Sequence, residues 1–334
     1  MKQVKWGIIG AGRIANDFAK AFKDVKNGIL VGIASKNPTR LKNFSEKYKI
    51  NKEHRFDSYK KILSSKDIDA VYIALTNNLH SKWVIESAKY KKHVLVEKPA
   101  FLNHKEALFA FKNVKKNKIF FMEALMYVCH PQILYLIKIL KQKKIGKIIS
   151  IKSSFGIKKS NTKKNSRLYE KKMGGGSILD IGIYCVSISR LIASAASNNK
   201  EIKLKEIKGN VLFEKPGVDN LAHGNLKFSN NISAKITSCI HRKMKNNLEI
   251  TGNNGKIILD TPWKPTVRTK VKIKLNSGKY IIKSFLNTKN LYSYEINLAT
   301  DTILKKNREA KSIGVTWKDT TNNLKILDAW KKIR

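Results

Sequence analysis

The sequence predicts an α/β chain in two parts: an N-terminal domain built on a parallel, doubly wound sheet, then an α+β domain with a large, mostly antiparallel sheet. Three observations carry this. Short, wholly apolar strands alternate with helices up to about residue 122, as strands buried on both faces and joined by right-handed crossovers do. A glycine pattern, Gly10-Ala11-Gly12, stands between the first strand and the first helix. From Glu201 to Ser284 strand follows strand, punctuated by Asn230-Asn231, Gly252 to Gly255 and Asn276-Ser277-Gly278, which are turn signals. The 334 residues suffice for about two domains, at roughly 150 residues each.

In chain order, Val4 to Ile9 is a buried strand and Ile14 to Phe22 a helix. Ile29 to Ala34 is the second strand. Pro38 opens a helix at the position where a missing N–H costs little. Strands are expected at Asp69 to Leu75, His93 to Val96 and Ile119 to Met122, and helices at Lys82 to Lys89 and Asn103 to Asn117. The domain boundary is placed at 122/123, giving residues 1–122 and 123–334. Pro131 then begins a helix to about Lys143, Lys147 to Ile157 is a strand, and Lys158 to Lys172 is a basic loop. Gly174-Gly175-Gly176 precedes a helix from about Ser177 to Ala195. Val271, Ile273 and Leu275 alternate with Lys270, Lys272 and Lys274, one core face and one wet face of an antiparallel sheet. Two helices close the chain, near Tyr292 to Lys306 and Asp319 to Ile333, and are free to pack back on the first domain.

Periodic apolar segments run to the end of the chain, which excludes wholesale disorder. Cys129, Cys185 and Cys239 are too few and scattered for a disulfide framework or a zinc site. They read as buried apolar residues of a reducing compartment, and no metal is expected. No signal-peptide pattern is visible and no run approaches the ~18 apolar residues of a membrane span, so a cytoplasmic address without a membrane partner is the expectation. The formal net charge is +44, from 68 Lys and Arg against 24 Asp and Glu. Only 9 of the 68 are Arg, and Asn is abundant at 30. A Lys and Asn excess is what AT-rich codons supply, whereas a duplex reader would draw on the bidentate Arg fork. Base-composition drift therefore accounts for the charge, and no specific nucleic-acid partner is expected.

Gly10-Ala11-Gly12-Arg13-Ile14-Ala15 is the G-x-G-x-x-G/A pattern in its strand-to-helix context, the mark of a Rossmann dinucleotide site. Gly10 allows the tight turn, and Gly12 lets the backbone approach a pyrophosphate at the helix N-terminus. An NAD site usually places an acid after the second strand for the ribose 2′-hydroxyl. This chain has Ser35 there, with Lys36 and Arg40 following and no acid before Glu46. NADP is therefore expected in preference to NAD, with Lys36 and Arg40 available to the 2′-phosphate. Glu97-Lys98-Pro99 follows the strand at 93–96, and the carboxyl ends of strands in such sheets are where ligands bind. Lys98 there can hydrogen-bond a substrate hydroxyl or lower the pKa of a neighbouring acid/base group.

These motifs, with Thr76-Asn77-Asn78-Leu79-His80, resemble the glucose–fructose oxidoreductase/inositol dehydrogenase (Gfo/Idh/MocA) family. Met122 to Tyr127, His130-Pro131-Gln132, Gly174 to Tyr184, Pro262 to Thr266 and Val315-Thr316-Trp317 resemble its branch of dimeric dihydrodiol dehydrogenases and NADP-dependent D-xylose dehydrogenases. The resemblance spans nearly the whole chain. It implies hydride transfer between nicotinamide and a sugar, polyol or cyclic diol hydroxyl. Lys98 matches the catalytic lysine and Tyr184 the acid/base residue. Asp180 stands at i−4 to Tyr184 and shares its face of the helix. It is read as a third catalytic group, or as a charge partner of the helix start. Thr76, Asn77, His80 and Glu97 join the cofactor set, with His80 near the nicotinamide. Met126, Arg167 and Tyr169 are weaker candidates for substrate contact. A tyrosine pKa of ~10 is too high for an efficient base at neutral pH, so a nearby cation is required. One departure stands out: Val128-Cys129 occupies a place where the branch carries Arg-Phe, which removes a donor fork facing cofactor and substrate. A reductase of a ketosugar or sugar-nucleotide intermediate, or a non-catalytic NADP-binding regulator, are the alternatives. Relatives pair through the C-terminal sheet, so a homodimer is expected.

Overall fold

A computed structural model describes residues 2–158, 167–197, 201–214, 217–311 and 313–333. Two compact units result, Met1–Cys129 with Lys289–Thr321, and His130–Thr288 with Asn322–Arg334. The first unit thus reaches past the 122/123 boundary and takes a C-terminal segment as well.

In the first unit, β1 (Val4–Ile9), β2 (Gly28–Ala34), β3 (Arg55–Phe56), β4 (Ala70–Ile73), β5 (His93–Glu97) and β6 (Phe121–Ala124) form one sheet in the order β3-β2-β1-β4-β5-β6. Every pair is parallel. Five helices intervene: α1 (Arg13–Lys20), α2 (Pro38–Lys47), α3 (Tyr59–Ser64), α4 (Asn77–Lys89) and α5 (His104–Lys116). The starts are written in the sequence. Asn37 and Asn103 each accept an N–H three residues on, at 2.9 Å, as N-caps do. Three details differ from expectation. β3 and α3 are too short for periodicity to reveal. α4 begins at Asn77 and not near Lys82, because its first turn is polar and lacks the apolar signal. β6 lies two residues later than expected, so the chain is still in the first unit at Cys129.

In the second unit, α6 (Pro131–Lys141), β7 (Ile148–Gly156), α7 (Ile183–Ala195) and β8 (Leu204–Glu214) precede β9 (Val218–Phe228) and β10 (Ser233–Cys239). Then come β11 (Leu248–Gly252), β12 (Gly255–Leu259), β13 (Arg268–Leu275) and β14 (Tyr280–Leu286). The eight strands run β14-β13-β12-β11-β7-β10-β9-β8. All pairs are antiparallel except β7 with β10. Val271 and Ile273 are buried while Lys270 is exposed, the alternation that the sequence showed. A π-helical turn, Ile178–Gly182, leads into α7.

The expectation that no run suits a membrane span needs correction. Lys171–Ala195 is long and apolar enough by length and composition, with 89% of its most apolar stretch buried. Its apolarity is explained by burial on all sides, as the core helix of its unit. The last helices are α8 (Leu291–Leu304), which belongs to the first unit, and α9 (Trp317–Lys331), which begins in the first and ends in the second. Part of the basic loop, residues 159–166, lies outside the described residues.

Trp330 of α9 is fully buried, donates from Nε1 to the His223 carbonyl at 3.1 Å, and lies so close to Gly182 that a Cβ there would stand 2.9 Å from its ring. Trp330→Ala should cost about 3–5 kcal/mol. A shift of the denaturation midpoint at unchanged slope, with the second unit's near-ultraviolet dichroism lost early, would show it.

Candidate active site

Each sheet-end residue singled out in the first unit follows a strand of the parallel sheet. Gly10 ends β1 with φ +100°, and an added Cβ would stand 2.7 Å from the Ala74 carbonyl oxygen. Only glycine fits that turn. Gly12 is the N-cap of α1, supplies no side-chain cap, and has open space where a Cβ would lie. The first turn of α1 holds Arg13 and Ile14 and no acid, so its orphan N–H groups and dipole face an approach that an anion can use. Ala11 and Ile14 are half-buried and Arg13 is exposed. After β2, Ser35 is buried and its Oγ accepts from Asn37 N at 3.2 Å. Lys36 and Arg40 are exposed. Lys36 Nζ sits 5.7 Å from the centre of the Tyr59 ring.

After β4, Thr76 donates from Oγ1 to Asn78 Oδ1 at 2.7 Å, and Asn77 is buried. His80 is fully buried, with Nδ1 2.9 Å from the Pro99 carbonyl and Nε2 3.2 Å from the Leu75 carbonyl. It ties the segment after β4 to the segment after β5. There Glu97 accepts the Tyr72 hydroxyl on one oxygen and the Lys98 N–H on the other, the latter at 3.2 Å. Lys98 is half-buried. Met126 lies with Val128 and Cys129 in a 3-10 turn, Met126–Cys129, whose residues are all buried.

Two buried acids of this unit escaped the sequence reading. Glu123 accepts Ala100 N at 2.9 Å and Thr320 Oγ1 at 3.0 Å. Burial outweighs those hydrogen bonds and pushes its carboxyl up to about 7. Glu295 of α8 is buried and neither of its oxygens has a hydrogen-bond partner among the described residues. Burial, then the charge of Glu97, drives its carboxyl well above the usual range. Burial also raises Tyr72 and Tyr292, with Glu97 adding to both. Glu123 sits in an apolar run, Phe120 to Met126, a weak signal that could have flagged it, whereas Glu295 stands among Ser293, Tyr294 and Asn297.

In the second unit, Asp180 lies inside the π turn and is buried, and Tyr184 follows in the first turn of α7, 4% exposed. The spacing of four holds, but through a widened turn and not a regular α-helix. Phe155 and Trp263 meet the Tyr184 ring edge-on at 5.2 and 5.9 Å. Arg167 donates from Nη2 to Asp180 Oδ1 at 3.2 Å. Arg167 and Tyr169 occupy a 3-10 turn, held by Gly176 N to the Leu168 carbonyl at 2.8 Å. Gly175 has no room for a side chain, since a Cβ would stand 2.5 Å from that same carbonyl. The structure thus brings Arg167 and Asp180 together, which the sequence had listed in different roles. Among the described residues no group of His, Cys, Asp or Glu is placed to hold a metal ion.

Residues 4–124 match the family described as "Oxidoreductase family, NAD-binding Rossmann fold", and residues 133–258 match the GFO/IDH/MocA C-terminal domain. The chain belongs to the Gfo/Idh/MocA oxidoreductase family. Its relatives include a trans-1,2-dihydrobenzene-1,2-diol dehydrogenase of Xenopus tropicalis, 30% identical over 265 residues, 78% of this chain and 77% of the relative. An uncharacterized oxidoreductase of Rhizobium meliloti is 26% identical over 292 residues, 87% and 84% of the two chains. In fold the chain is similar to an aldose-aldose oxidoreductase from Caulobacter crescentus complexed with glycerol (TM-score 0.88, 20% identity, covering 99% and 97%). It is also similar to a 3-ketoreductase from Actinomadura kijaniata in complex with NADP and TDP-benzene (TM-score 0.85, 23% identity, 99% and 97%). The protein is an enzyme of the dehydrogenase and reductase class, whose family acts on CH–OH groups.

The raised Glu123 carboxyl makes a pH prediction. Its folded-state pKa lies above the ordinary 4.5, so its stabilising contribution is complete below about pH 4.5 and lost as pH rises through about 7. The loss is on the order of 3 kcal/mol. Glu123→Gln keeps an acceptor for Ala100 N. It should flatten that part of the stability–pH curve in denaturant titrations between pH 4.5 and 8.

Proposed function

We propose that this enzyme is an NADP-dependent oxidoreductase that moves a hydride between nicotinamide and a sugar, polyol or cyclic diol hydroxyl, with Tyr184 as the acid/base and Lys98 assisting it. The observation that carries the reading is the strand-end set of the first unit. Gly10 and Gly12 open an uncapped, acid-free helix start, and Lys98 stands two strands away on the same sheet edge. These residues fit a dinucleotide. The first turn of α1 would hold the pyrophosphate, Lys36 and Arg40 a 2′-phosphate, and Thr76, Asn77, His80 and Glu97 would shape the nicotinamide end. When bound, the nicotinamide supplies the hydride acceptor or donor.

The chain's own groups supply the rest. Tyr184 Oη takes the hydroxyl proton as the carbonyl forms, and returns it in the reverse direction. Lys98 holds the developing negative charge on oxygen and orients the hydroxyl. Asp180, neutralised in part by Arg167, fixes the approach to Tyr184 and leaves Arg167 and Tyr169 to meet the substrate's other hydroxyls, with Met126 as an apolar contact. The trans-1,2-dihydrobenzene-1,2-diol dehydrogenase relatives favour a cyclic diol hydroxyl within that range. The 3-ketoreductase neighbour supports a second reading, reduction of a ketosugar carbonyl. A homodimer through the eight-stranded sheet completes the proposal. Lys152 and Lys235 are exposed register partners on that sheet, so such pairing would strengthen with salt.

The deciding assay follows nicotinamide absorbance with NADP and with NAD across aldoses, polyols and cyclic diols, and with NADPH across ketosugars. Turnover on the first panel favours the first reading, and turnover on the ketosugars alone favours the second. Lys98→Met should leave NADPH affinity intact and lower kcat by about 10²–10³-fold, and unchanged kcat would remove Lys98 from the mechanism. Ser35→Asp, by placing a like charge at the 2′-phosphate, should shift the NADP-to-NAD ratio of kcat/KM by about tenfold or more toward NAD. An unmoved ratio would count against the assignment of Lys36 and Arg40.

A further inference from the structure

We propose that Asp219 is a positioning residue for this reaction: its buried carboxylate fixes the turn that carries Asp180 and runs into Tyr184. The proposal rests on the role of Tyr184 given above.

Asp219 lies on β9 and is 6% exposed. Its Oδ2 accepts from Ile178 N at 2.5 Å and from Ser177 Oγ at 2.9 Å. Ser177 Oγ is also 2.9 Å from Ser238 Oγ on β10, so the helix start is tied to two neighbouring strands. The other carboxylate oxygen lies against Gly176. A Cβ on Gly176 would stand 2.1 Å from Oδ1, and Gly176 has φ +101°. Glycine is therefore needed there both for conformation and for the close approach of the carboxylate.

The turn that follows is π-helical, Ile178–Gly182, a form rare in proteins, found mostly as single turns within α-helices and frequently at functional sites. Its leading N–H groups have no intrahelical acceptor. A charge-assisted bond from Ile178 N to a carboxylate is the strongest available substitute. Asp180 is two residues beyond that bond and Tyr184 six. A rotation of the turn about its anchor carries both side chains with it, and a misplacement near 1 Å is enough to cost about 10²-fold in rate. No side chain between Ser177 and Tyr184 other than Ser177 and Asp180 is both short and polar, so the anchoring falls to the strand and not to the helix itself.

The test compares Asp219→Ala, Asp219→Asn, Ser177→Ala and Tyr184→Phe in the full chain. It measures kcat, KM, NADPH affinity and the tyrosine Cζ resonances of ¹³C-labelled protein, where the resonance missing from Y184F belongs to Tyr184. D219A should lower kcat by about 10²-fold, with NADPH affinity changed by about twofold or less, and should move the Tyr184 resonance. D219N keeps an acceptor for Ile178 N and should recover kcat to within about tenfold of the parent. If D219A fails to fold, S177A and D219N carry the same test at smaller amplitude. An unmoved Tyr184 resonance with parental kcat overturns the proposal. So does an equal loss of kcat and NADPH affinity in D219A that D219N does not relieve, since that marks a merely structural residue. If Y184F turns over normally, the acid/base assignment fails, while the resonance shift in D219A still decides whether Asp219 sets the turn.

Discussion

A parallel sheet ends all of its strands on one edge, and each strand there is followed by a loop and a helix whose first N–H groups lack partners. In the first unit this delivers Gly10, Ser35, Thr76 and Glu97 to one edge, from β1, β2, β4 and β5. The sheet order reverses between β1 and β4, and the crossovers on either side leave on opposite faces. A crevice opens at that switch point as a consequence of topology, before any side chain is chosen. The side chains then refine it. Gly10 lets the backbone turn, the bare Gly12 leaves the approach open, and His80 clamps Leu75 to Pro99 so that the Lys98 segment has a fixed support.

The second unit solves a different problem. An antiparallel sheet has no row of helix N-termini to offer, and here the helix that carries Asp180 and Tyr184 packs against it. Burying that helix demands an apolar sequence, which is why Lys171–Ala195 resembles a membrane span in composition. The few polar groups it carries must be satisfied one by one. Asp180 is met by Arg167, Ser177 by Asp219 and Ser238, and Ser189 by the Cys185 carbonyl. Trp330 closes on Gly182 from the other side. The helix start is thereby held by hydrogen bonds and the helix body by packing. The first kind of restraint sets direction, and the second mainly sets stability.

Most of this was legible in the sequence where a pattern repeats or a residue type is forced. The buried strands, the Pro38 start, the G-x-G turn and the lysine alternation of β13 each follow from a local rule. What escaped was of two kinds. β3, with two residues, and α3, with six, are too short for a repeating pattern to show. Long-range polar pairing also leaves no local trace. Asp219 is separated from Ile178 by 41 positions and Thr320 from Glu123 by 197. Arg167 and Asp180 were each visible, but not that they pair. A carboxylate within an apolar run is the available clue for Glu123, whereas Asp219 and Glu295 stand among polar neighbours such as Asn220, Ser293 and Asn297 and offer none.

The buried acids also bear on the charge imbalance. The +44 charge is a property of the surface, where an ion pair contributes little and salt screens the rest. Pairs such as Lys61 with Asp57 and Lys208 with Glu206 join exposed groups, and losing their acids would change stability little. The interior acids are different in kind. Removing Glu123 strands the Ala100 N–H and the Thr320 hydroxyl, and removing Asp219 strands Ile178 N and leaves Ser177 only Ser238 among the described residues, at about 1–3 kcal/mol per group left unpaired. Composition can therefore drift toward lysine outside while the carboxylates inside stay fixed by what they hold. The surplus of surface cations leaves the fold alone and acts at a distance, drawing anions toward the molecule at low salt.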